Sequence, residues 1–223
     1  MKAVDKGIQA DRGVIILAGG DSKRLGQPKA LLDFEGLSLI ERMVQKLEKL
    51  FNRITLVTDS PELYRGLPVK ITGDLITDQF KSPLRGIHAG LSVSDLPYQF
   101  VAACDMPYLN LDLIDFMEKF TSGYDAVVPR IGSYYQPLHA YYSRSCIGVI
   151  EKQIELGSYK IIDFYAKINT YYLGRAEIEK FDPEQRSFIN INTWDDYHQA
   201  MQQHGGAASH SVNGGGSKID KNA

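Results

Sequence analysis

The feature that most constrains the fold of this chain is an alternation of short apolar runs with segments of helical periodicity. The apolar runs are rich in β-branched residues and end at turn residues, which is typical of buried strands. They lie at residues 13–17, 53–58, 69–72, 100–104, 124–129, 138–142 and 168–173. Strands that alternate with helices form parallel pairs covered by those helices. The sequence therefore predicts an α/β fold, a single Rossmann-like domain with a mostly parallel central sheet and helices on both faces.

The clearest helix follows Ser38. Ser38 and Glu41 have the spacing of a capping box. Apolar residues then recur at the helical period at Ile40, Met43, Val44, Leu47 and Phe51. The same period predicts helices at 110–120, 145–153 and 160–166, and another helix after Gly86. Thr193, three residues before Asp196, predicts the start of a last helix whose inward side chains are Trp194, Tyr197 and Met201.

Length and charge exclude several classes of protein. A chain of 223 residues with 43% hydrophobic content can bury a substantial core. The formal net charge is −2, and lysines and arginines form no stripe, so binding to a nucleic acid backbone is not predicted. No apolar run reaches the ~18 to 20 residues that cross a bilayer. The first residues also lack the apolar stretch of a secretion signal, and we expect a cytoplasmic protein without membrane contact.

Two further features bound the domain. Cys104 and Cys146 have no CxxC spacing, so we expect two small buried residues rather than a disulfide or a zinc site. Residues 204–223 are rich in Gly, Ser and Asn and almost free of large apolar side chains. Such a segment cannot offset its ordering entropy by burial. The sequence therefore predicts a folded domain at 1–203 and a disordered tail at 204–223.

The stretch LAGGDSKRLGQPK, residues 17–29, directly follows the first predicted strand. A glycine-rich turn at the carboxyl end of a parallel strand presents unpaired amides to an anion. The spacing matches neither a P-loop nor the G-x-G-x-x-G fingerprint. Arg24 supplies a forked donor and Lys29 a point charge, which suits a triphosphate. A surface turn with solvated cations is the alternative for such a stretch.

The pattern Leu17-Ala18-Gly19-Gly20-x-Ser22-x-Arg24-x-Gly26-x-x-Lys29 resembles the signature of the molybdenum cofactor guanylyltransferase family. Leu25 stands where family members usually have methionine. Three more stretches occur in the order of the family. The first is Asp74 followed by SPLRGI at 82–87, where Ser82 replaces the usual glycine. The second is ACDMP at 103–107, which is similar to a Cys-Asp-x-Pro metal motif, and the third is NINT at 190–193. The resemblance spans about residues 13–201 and implies a nucleotidyltransferase domain.

The resemblance implies Mg²⁺-dependent transfer of GMP from GTP to the phosphate of molybdopterin or of its molybdenum-loaded form, with release of pyrophosphate. It assigns catalysis to Arg24, Lys29 and Asp105, and GTP binding to Leu17, Ala18, Gly19, Gly20, Lys29, Asp74 and Asp105. It assigns the metal to Asp105 and Asn192, and the acceptor to the C-terminal half at Arg130, Gln136 and Asn190. The implied partners are the two substrates, with transient contacts to molybdenum-insertion proteins or molybdoenzyme chaperones.

The residue types fit these roles, although each allows a plainer explanation. Asp105 follows a strand, so its carboxylate should emerge at the carboxyl edge of the sheet and offer Mg²⁺ a hard oxygen ligand. An aspartate there could equally cap a turn, and Asn192 could brace the last helix. The Asp74 carboxylate can accept hydrogen bonds from N1–H and N2–H₂ of guanine, or it could be a solvated turn residue. Arg130 lies near tyrosines that suit a flat pterin or pack at a half-buried surface.

Two other functions remain open at this point. The same loop chemistry serves transfer of another nucleotide or to another acceptor, such as CTP to molybdopterin or transfer to a sugar or alcohol phosphate. Nucleotide selectivity and acceptor screening separate these reactions. A regulatory module that only binds GTP or GDP would bind nucleotide without releasing pyrophosphate. The combination of Arg24, Lys29 and Asp105 argues against that module, because binding alone would not require all three.

Overall fold

The computed structural model describes residues 11–19, 26–77 and 80–208. The strands are β1 (Gly13–Leu17), β2 (Asp33–Phe34), β3 (Leu37–Ser38), β4 (Arg53–Val57), β5 (Lys70–Thr72), β6 (Tyr98–Ala103), β7 (Ala126–Ile131), β8 (Tyr134–Tyr135), β9 (His139–Ser143) and β10 (Thr170–Leu173). The helices are α1 (Leu39–Leu47), α2 (Pro83–Ser92), α3 (Leu111–Glu118), α4 (Cys146–Glu155), α5 (Ile161–Tyr165), α6 (Arg175–Ile178) and α7 (Trp194–Ala208). Short 3₁₀ turns lie at Lys29–Leu31, Pro61–Tyr64 and Arg186–Phe188.

The main sheet has the strand order β10-β7-β9-β6-β1-β4-β5, with β8 paired to β7 outside this path. β1 lies between β4 and β6 and runs parallel to both, and β5 and β10 also pair in parallel with their neighbours. β9 is antiparallel to β6 and to β7. The expected mostly parallel α/β sheet is therefore confirmed, with one antiparallel strand inserted in it. The carboxyl ends of β1, β4 and β6 meet at one edge of the sheet.

The two faces of β1 bury different helices. Val14 and Ile16 belong to the core cluster that contains the apolar residues of α1 and α3. Ile15 and Leu17 belong to the cluster that contains those of α2, α4 and α5. Consecutive strand residues point to opposite faces, so a run that is apolar throughout must be covered on both sides. The expected helices on both faces are confirmed.

The capping box predicted at the start of α1 is present. The Ser38 Oγ accepts a hydrogen bond from the Glu41 amide at 3.3 Å, and the Glu41 carboxylate accepts one from the Ser38 amide at 2.7 Å. The hydrogen bonds donated by Ser38 lower the pKa of Glu41. Two of the unpaired amides of the first turn are thereby satisfied, which fixes where α1 begins.

α2 begins at a serine cap and lies unusually close to β1. The Ser82 Oγ accepts from the Leu84 amide at 3.2 Å and donates to the Tyr159 carbonyl at 2.9 Å, so the serine that replaces the family's glycine is the N-cap of α2. A Cβ on Gly90 would lie 2.5 Å from Ile15 Cγ2. The absence of a side chain at Gly90 therefore permits the close approach of α2 to the sheet.

α7 closes over the small hairpin formed by β2 and β3. Thr193 and Asp196 form the predicted reciprocal cap, with the Thr193 amide donating to Asp196 Oδ2 at 2.8 Å and the Asp196 amide donating to Thr193 Oγ1 at 3.1 Å. Tyr197 and Met201 pack against a cluster that includes Phe34. The inward orientation predicted for Trp194 is wrong: the side chain is 42% exposed, and its ring contacts Tyr197 and His198 of its own helix.

α7 continues to Ala208, five residues into the segment that the composition predicted to be disordered. Once a helix is nucleated and docked, each further residue adds a hydrogen bond at little cost, so a weakly apolar sequence can extend it. Residues 209–223 lie outside the described part of the chain. None of the described helices is long and apolar enough to cross a bilayer.

Candidate active site

A cavity of about 510 Å³ opens at the edge of the sheet where β1, β4 and β6 end. Its described wall contains backbone and side chains from the β1 turn, the β4 end, the β6 end and the start of α2. Those residues include Leu17, Ala18, Gly19, Lys29, Thr58, Asp59, Asp74, Lys81, Ser82, Cys104, Asp105, Gln136 and Asn190. Ligands of α/β proteins bind at such an edge because loops and helix N-termini converge there.

The glycine-rich stretch enters the cavity directly from β1. The Ala18 amide donates to the Val57 carbonyl at 2.9 Å, which continues the pairing of β1 with β4 beyond the end of the strand. Gly26 has a φ of +70°, a conformation that glycine adopts without strain, and the chain then turns back to place Lys29 in the cavity wall. Gly20 and Arg24 lie outside the described residues, so their roles stay predictions.

Lys29, Asp105 and Asn192 converge on one point in space although 163 residues separate the first from the last. The Lys29 ammonium donates to Asp105 Oδ2 at 3.1 Å and to Asn192 Oδ1 at 2.6 Å. The Lys29 and Asp105 side chains are 21% and 17% exposed. One cation therefore lies between a carboxylate and an amide oxygen in a partly desolvated site, where charge interactions are stronger than in water.

Backbone hydrogen bonds explain this convergence. The Cys104 amide donates to the Leu17 carbonyl at 3.1 Å, which ties the end of β6 to the end of β1. The Ile191 amide donates to the Asp105 carbonyl at 2.9 Å, which brings the NINT segment to the same edge. The Asn192 amide donates to Asp196 Oδ2 at 2.9 Å. Asn192 thus contacts both the cap of α7 and the cation, so the two roles considered for it are compatible.

Asp74 lies in the cavity wall shortly after β5, and a residue that the sequence analysis did not single out holds it there. The Arg85 Nη2 lies 3.2 Å from Asp74 Oδ2, and the Arg85 Nη1 donates to the Phe80 carbonyl at 2.9 Å. The Arg85 side chain is only 8% exposed. The arginine is part of the SPLRGI stretch, but its type alone does not reveal that it turns inward.

The sequence analysis also missed Thr58, Asp59 and Lys81, which lie in the cavity wall. Thr58 lies at the carboxyl end of β4 and is buried, and Asp59 follows it. The Lys81 ammonium pairs with Asp59 Oδ2 at 2.9 Å, although both side chains are half-exposed or more. The signal that could have found Thr58 and Asp59 is their place at the end of a strand beside β1, since residues there face the ligand edge.

The residues predicted for the acceptor separate into two groups. Gln136 and Asn190 lie in the cavity wall. Arg130 is not among the described residues that line the cavity. Its guanidinium lies 5.4 Å from the centre of the Tyr135 ring and donates to the Gly132 carbonyl at 3.0 Å, within the β7–β8 hairpin. The role of Arg130 toward an acceptor stays a prediction.

The remaining polar chemistry of the cavity is modest. Burial raises the pKa of the Cys104 thiol to about 12, with a smaller contribution from Asp105, so Cys104 is a protonated wall residue and not a nucleophile. Within residues 11–19, 26–77 and 80–208, no three His, Cys, Asp or Glu side chains come together as a metal cluster. A metal here would need oxygens from a substrate in addition to those of the protein.

Comparisons with known proteins agree with this architecture. The family model described as the MobA-like NTP transferase domain matches residues 14–168. A molybdenum cofactor guanylyltransferase from Syntrophotalea carbinolica is 35% identical over 199 residues, which cover 88% of this chain and 94% of the relative. A probable molybdenum cofactor guanylyltransferase from Methanosarcina acetivorans is 39% identical over 197 residues, with 83% and 88% of the two chains covered.

A solved structure supports the same assignment. The molybdopterin-guanine dinucleotide biosynthesis protein A from Archaeoglobus fulgidus has a TM-score of 0.77 and 30% sequence identity, and the match covers 87% of this chain and 99% of that one. The resemblance carried by the glycine-rich stretch and by the Asp74, Asp105 and Asn192 motifs is therefore confirmed. The chain belongs to the MobA-like NTP transferase family and is a nucleotidyltransferase.

Proposed function

We propose that this protein transfers GMP from GTP to the terminal phosphate of molybdopterin, or of its molybdenum-loaded form, and releases pyrophosphate. The observation that carries the proposal is the convergence of Lys29, Asp105 and Asn192 at the sheet edge of a MobA-like nucleotidyltransferase. The names of the relatives, molybdenum cofactor guanylyltransferase, support the choice of nucleotide and acceptor. We include transient contacts with molybdenum-insertion proteins or molybdoenzyme chaperones in the proposal.

The nucleotide half of the cavity would hold GTP by backbone and by one carboxylate. The chain leaves β1 through Ala18 and Gly19 in the cavity wall, where amides of the glycine-rich stretch would face phosphate oxygens. Asp74 offers acceptors for the N1–H and N2–H₂ groups of guanine, which adenine and cytosine do not present in this pattern. A site built on such a carboxylate rejects bases that leave the carboxylate unpaired.

The protein supplies position and charge rather than a covalent nucleophile. The acceptor phosphate is ionised at neutral pH and can attack the α-phosphorus in line, so pyrophosphate leaves on the opposite side. Lys29 would stabilise the charge that builds on the α-phosphate oxygens, and Arg24 would bind the β- and γ-phosphates. Preorganised cations of this kind account for most of the catalysis in phosphoryl-group transfer.

The donor set fits a divalent cation such as Mg²⁺. The Asp105 carboxylate and the Asn192 amide oxygen already share one cation, the Lys29 ammonium, at 3.1 and 2.6 Å. Oxygen donors of these two types, completed by phosphate oxygens and water, are what Mg²⁺ prefers. Asp105 and Asn192 would hold the ion, which supplies charge neutralisation at the phosphates. The Lys29 ammonium, displaced from these two oxygens, would supply a second positive charge to the α-phosphate.

The acceptor would occupy the side of the cavity formed by Gln136 and Asn190. Both are neutral hydrogen-bonding side chains, which suits the many donors and acceptors of a pterin ring. Arg130 and the adjacent Tyr135 would extend this side from the β7–β8 hairpin, with an aromatic face and a cation. We therefore assign the N-terminal half to the nucleotide and the C-terminal half to the acceptor.

The test measures pyrophosphate release from GTP, CTP, ATP and UTP with Mg²⁺ and molybdopterin, beside the Asp105→Ala variant. We expect turnover with GTP and loss of at least a hundredfold in the variant with its fold intact, as checked by thermal unfolding. Turnover with CTP in place of GTP would contradict the role of Asp74. Tight GTP binding without pyrophosphate from any acceptor would instead favour a regulatory module.

A further inference from the structure

Arg85 forms a buried support for Asp74. Its Nη2 lies 3.2 Å from Asp74 Oδ2 and its Nη1 donates to the Phe80 carbonyl at 2.9 Å. The Arg85 and Asp74 side chains are 8% and 19% exposed. A charged side chain is rarely so buried without a partner, because desolvation of the charge must be compensated. One nitrogen of the planar guanidinium therefore contacts the Asp74 carboxylate, and another contacts the Phe80 carbonyl.

The position of this guanidinium is fixed by the way α2 packs. Arg85 lies in the first turn of α2, immediately after the Ser82 cap. Gly86 and Gly90 face β1, and a Cβ at these two positions would lie 3.0 Å from Leu17 and 2.5 Å from Ile15. Because α2 is capped at its start and packed tightly against the sheet, Arg85 can present its fork in only a narrow range of positions.

Arg85 lies behind Asp74 rather than in the cavity. The described wall of the cavity contains Asp74, Ser82 and Gly86, but Arg85 is not part of it. A bound base would therefore contact the carboxylate and not the guanidinium. Arg85 can therefore act on a bound base through Asp74, the wall residue that it contacts.

This arrangement has a chemical consequence for base recognition. An ionised carboxylate, the ordinary form of aspartate at neutral pH, is acceptor-only. Its two oxygens offer about four lone-pair sites, so Oδ2 can accept from Arg85 and still accept from a base. The contact of Arg85 with Oδ2 also restricts the orientation of the carboxylate, on which two parallel hydrogen bonds from one base edge depend.

We propose that Arg85 is a positioning residue that sets the base selectivity of this nucleotidyltransferase by holding the Asp74 carboxylate in the orientation that pairs with both N1–H and N2–H₂ of guanine. The inference rests on the proposed function, since it takes GTP as the nucleotide. It assigns selectivity to a residue that contacts no substrate.

The test compares GTP with ITP, which has the N1–H but lacks the N2 amine. Equilibrium binding of each nucleotide is measured calorimetrically for the unsubstituted protein, for Arg85→Met and for Arg85→Lys. Arg175→Met is the matched control, because Arg175 is an exposed residue of α6 that pairs with Glu179. Asp74→Asn and the double variant Asp74→Asn/Arg85→Met show whether the effect of Arg85 depends on Asp74.

We expect Arg85→Met to lower the preference for GTP over ITP by about tenfold, the size of one hydrogen bond to a charged group. Arg85→Lys keeps the charge but loses the fork, and it should lower the preference by about threefold or more. Arg175→Met should leave the preference unchanged. In the Asp74→Asn background, Arg85→Met should change the preference no further.

A merely structural arginine would weaken GTP and ITP by the same factor. The proposal is overturned if Arg85→Met weakens the binding of GTP and ITP equally. If Arg85→Met does not fold, the proposal is overturned when Arg85→Lys keeps the full preference for GTP over ITP. A further loss of preference in the Asp74→Asn background overturns the route through Asp74. The proposed function fails separately, if the unsubstituted protein releases no pyrophosphate from GTP.

Discussion

Replacing Lys29 with methionine removes the cation of the candidate active site while keeping a side chain of similar length. In the folded protein the substitution leaves Asp105, which is 17% exposed, without the ammonium 3.1 Å away. The attraction of two unit charges about 4 Å apart near a protein surface is about 4 kcal/mol before desolvation is subtracted. Partial exposure screens this pair, so we expect a net loss of about 1–2 kcal/mol in the free energy of unfolding.

The effect on catalysis should be much larger than the effect on stability. Loss of one preorganised positive group at the developing charge lowers kcat by about 10²–10³. The assay measures kcat/KM for pyrophosphate release from GTP together with the unfolding temperature, which should fall by only a few degrees. Lys119→Met, at an exposed lysine after α3, is the control and should keep full activity. A Lys29→Met enzyme that retains kcat/KM within about threefold would refute the assignment.

Other predictions concern stability and reactivity. Gly90→Ala should destabilise the fold by about 1–3 kcal/mol, because its Cβ would lie 2.5 Å from Ile15, whereas Gly148→Ala, with nothing within 4 Å, should not lower the unfolding temperature. Equal effects of the two variants would contradict the close approach of α2. Burial lowers the pKa of His139 to about 3, from the ordinary value of 6.5. Below about pH 6.5 the unfolded chain therefore binds a proton that the native protein does not bind. Between pH 7 and 5, the free energy of unfolding should therefore fall by about 2 kcal/mol more in the unsubstituted protein than in His139→Phe. Denaturant titrations measure this difference, and parallel pH profiles of the two proteins would exclude His139 as its source. The pKa of Cys104, raised to about 12 by burial, predicts that iodoacetamide labels this thiol slowly in the native state at pH 8 and rapidly after unfolding, and fast native labelling would show a thiolate instead.

Much of the fold could be predicted because burial on both faces leaves an unmistakable pattern. β1 is apolar at all of its positions after Gly13, and the capping box of α1 is a local signal that needs no tertiary contact. The strand predicted at 124–129 is displaced by two residues, to Ala126–Ile131. Pro129 has no N–H to donate. In the structure the Pro129 carbonyl accepts from the Gln136 amide, and β7 continues into the hairpin with β8.

Strand direction and the small hairpin were less accessible. Alternation of strands and helices does not reveal that β9 runs antiparallel, although its link to β7, residues 132–138, is shorter than the dozen residues that a parallel crossover needs. The β2–β3 hairpin was missed because its turn places Glu35 at a φ of 58°, a conformation more typical of Gly, Asn or Asp. Glu35-Gly36 is therefore a weak turn signal.

The candidate site was predictable where a residue follows a strand in a recognisable motif. Lys29, Asp105 and Asn192 were expected to act together, and the structure brings them within hydrogen-bonding distance. Arg85 could not be assigned from the sequence, since an arginine in an exposed first turn is the commoner case and its inward orientation depends on the packing of α2. The exposure of Trp194 could not be predicted either. Helical spacing identifies the apolar face of a helix, but it does not show at which residue that face stops being buried.

The measurement that tests the central claim most directly follows the α-phosphorus of GTP. The purified protein is incubated with Mg²⁺, molybdopterin and GTP labelled with ³²P at the α position, and the products are separated. The account predicts that the label appears in a pterin product that also contains guanine, while the β- and γ-phosphates leave together as pyrophosphate. Label recovered as free GMP or GDP, with none joined to the pterin, would contradict transfer to the acceptor phosphate.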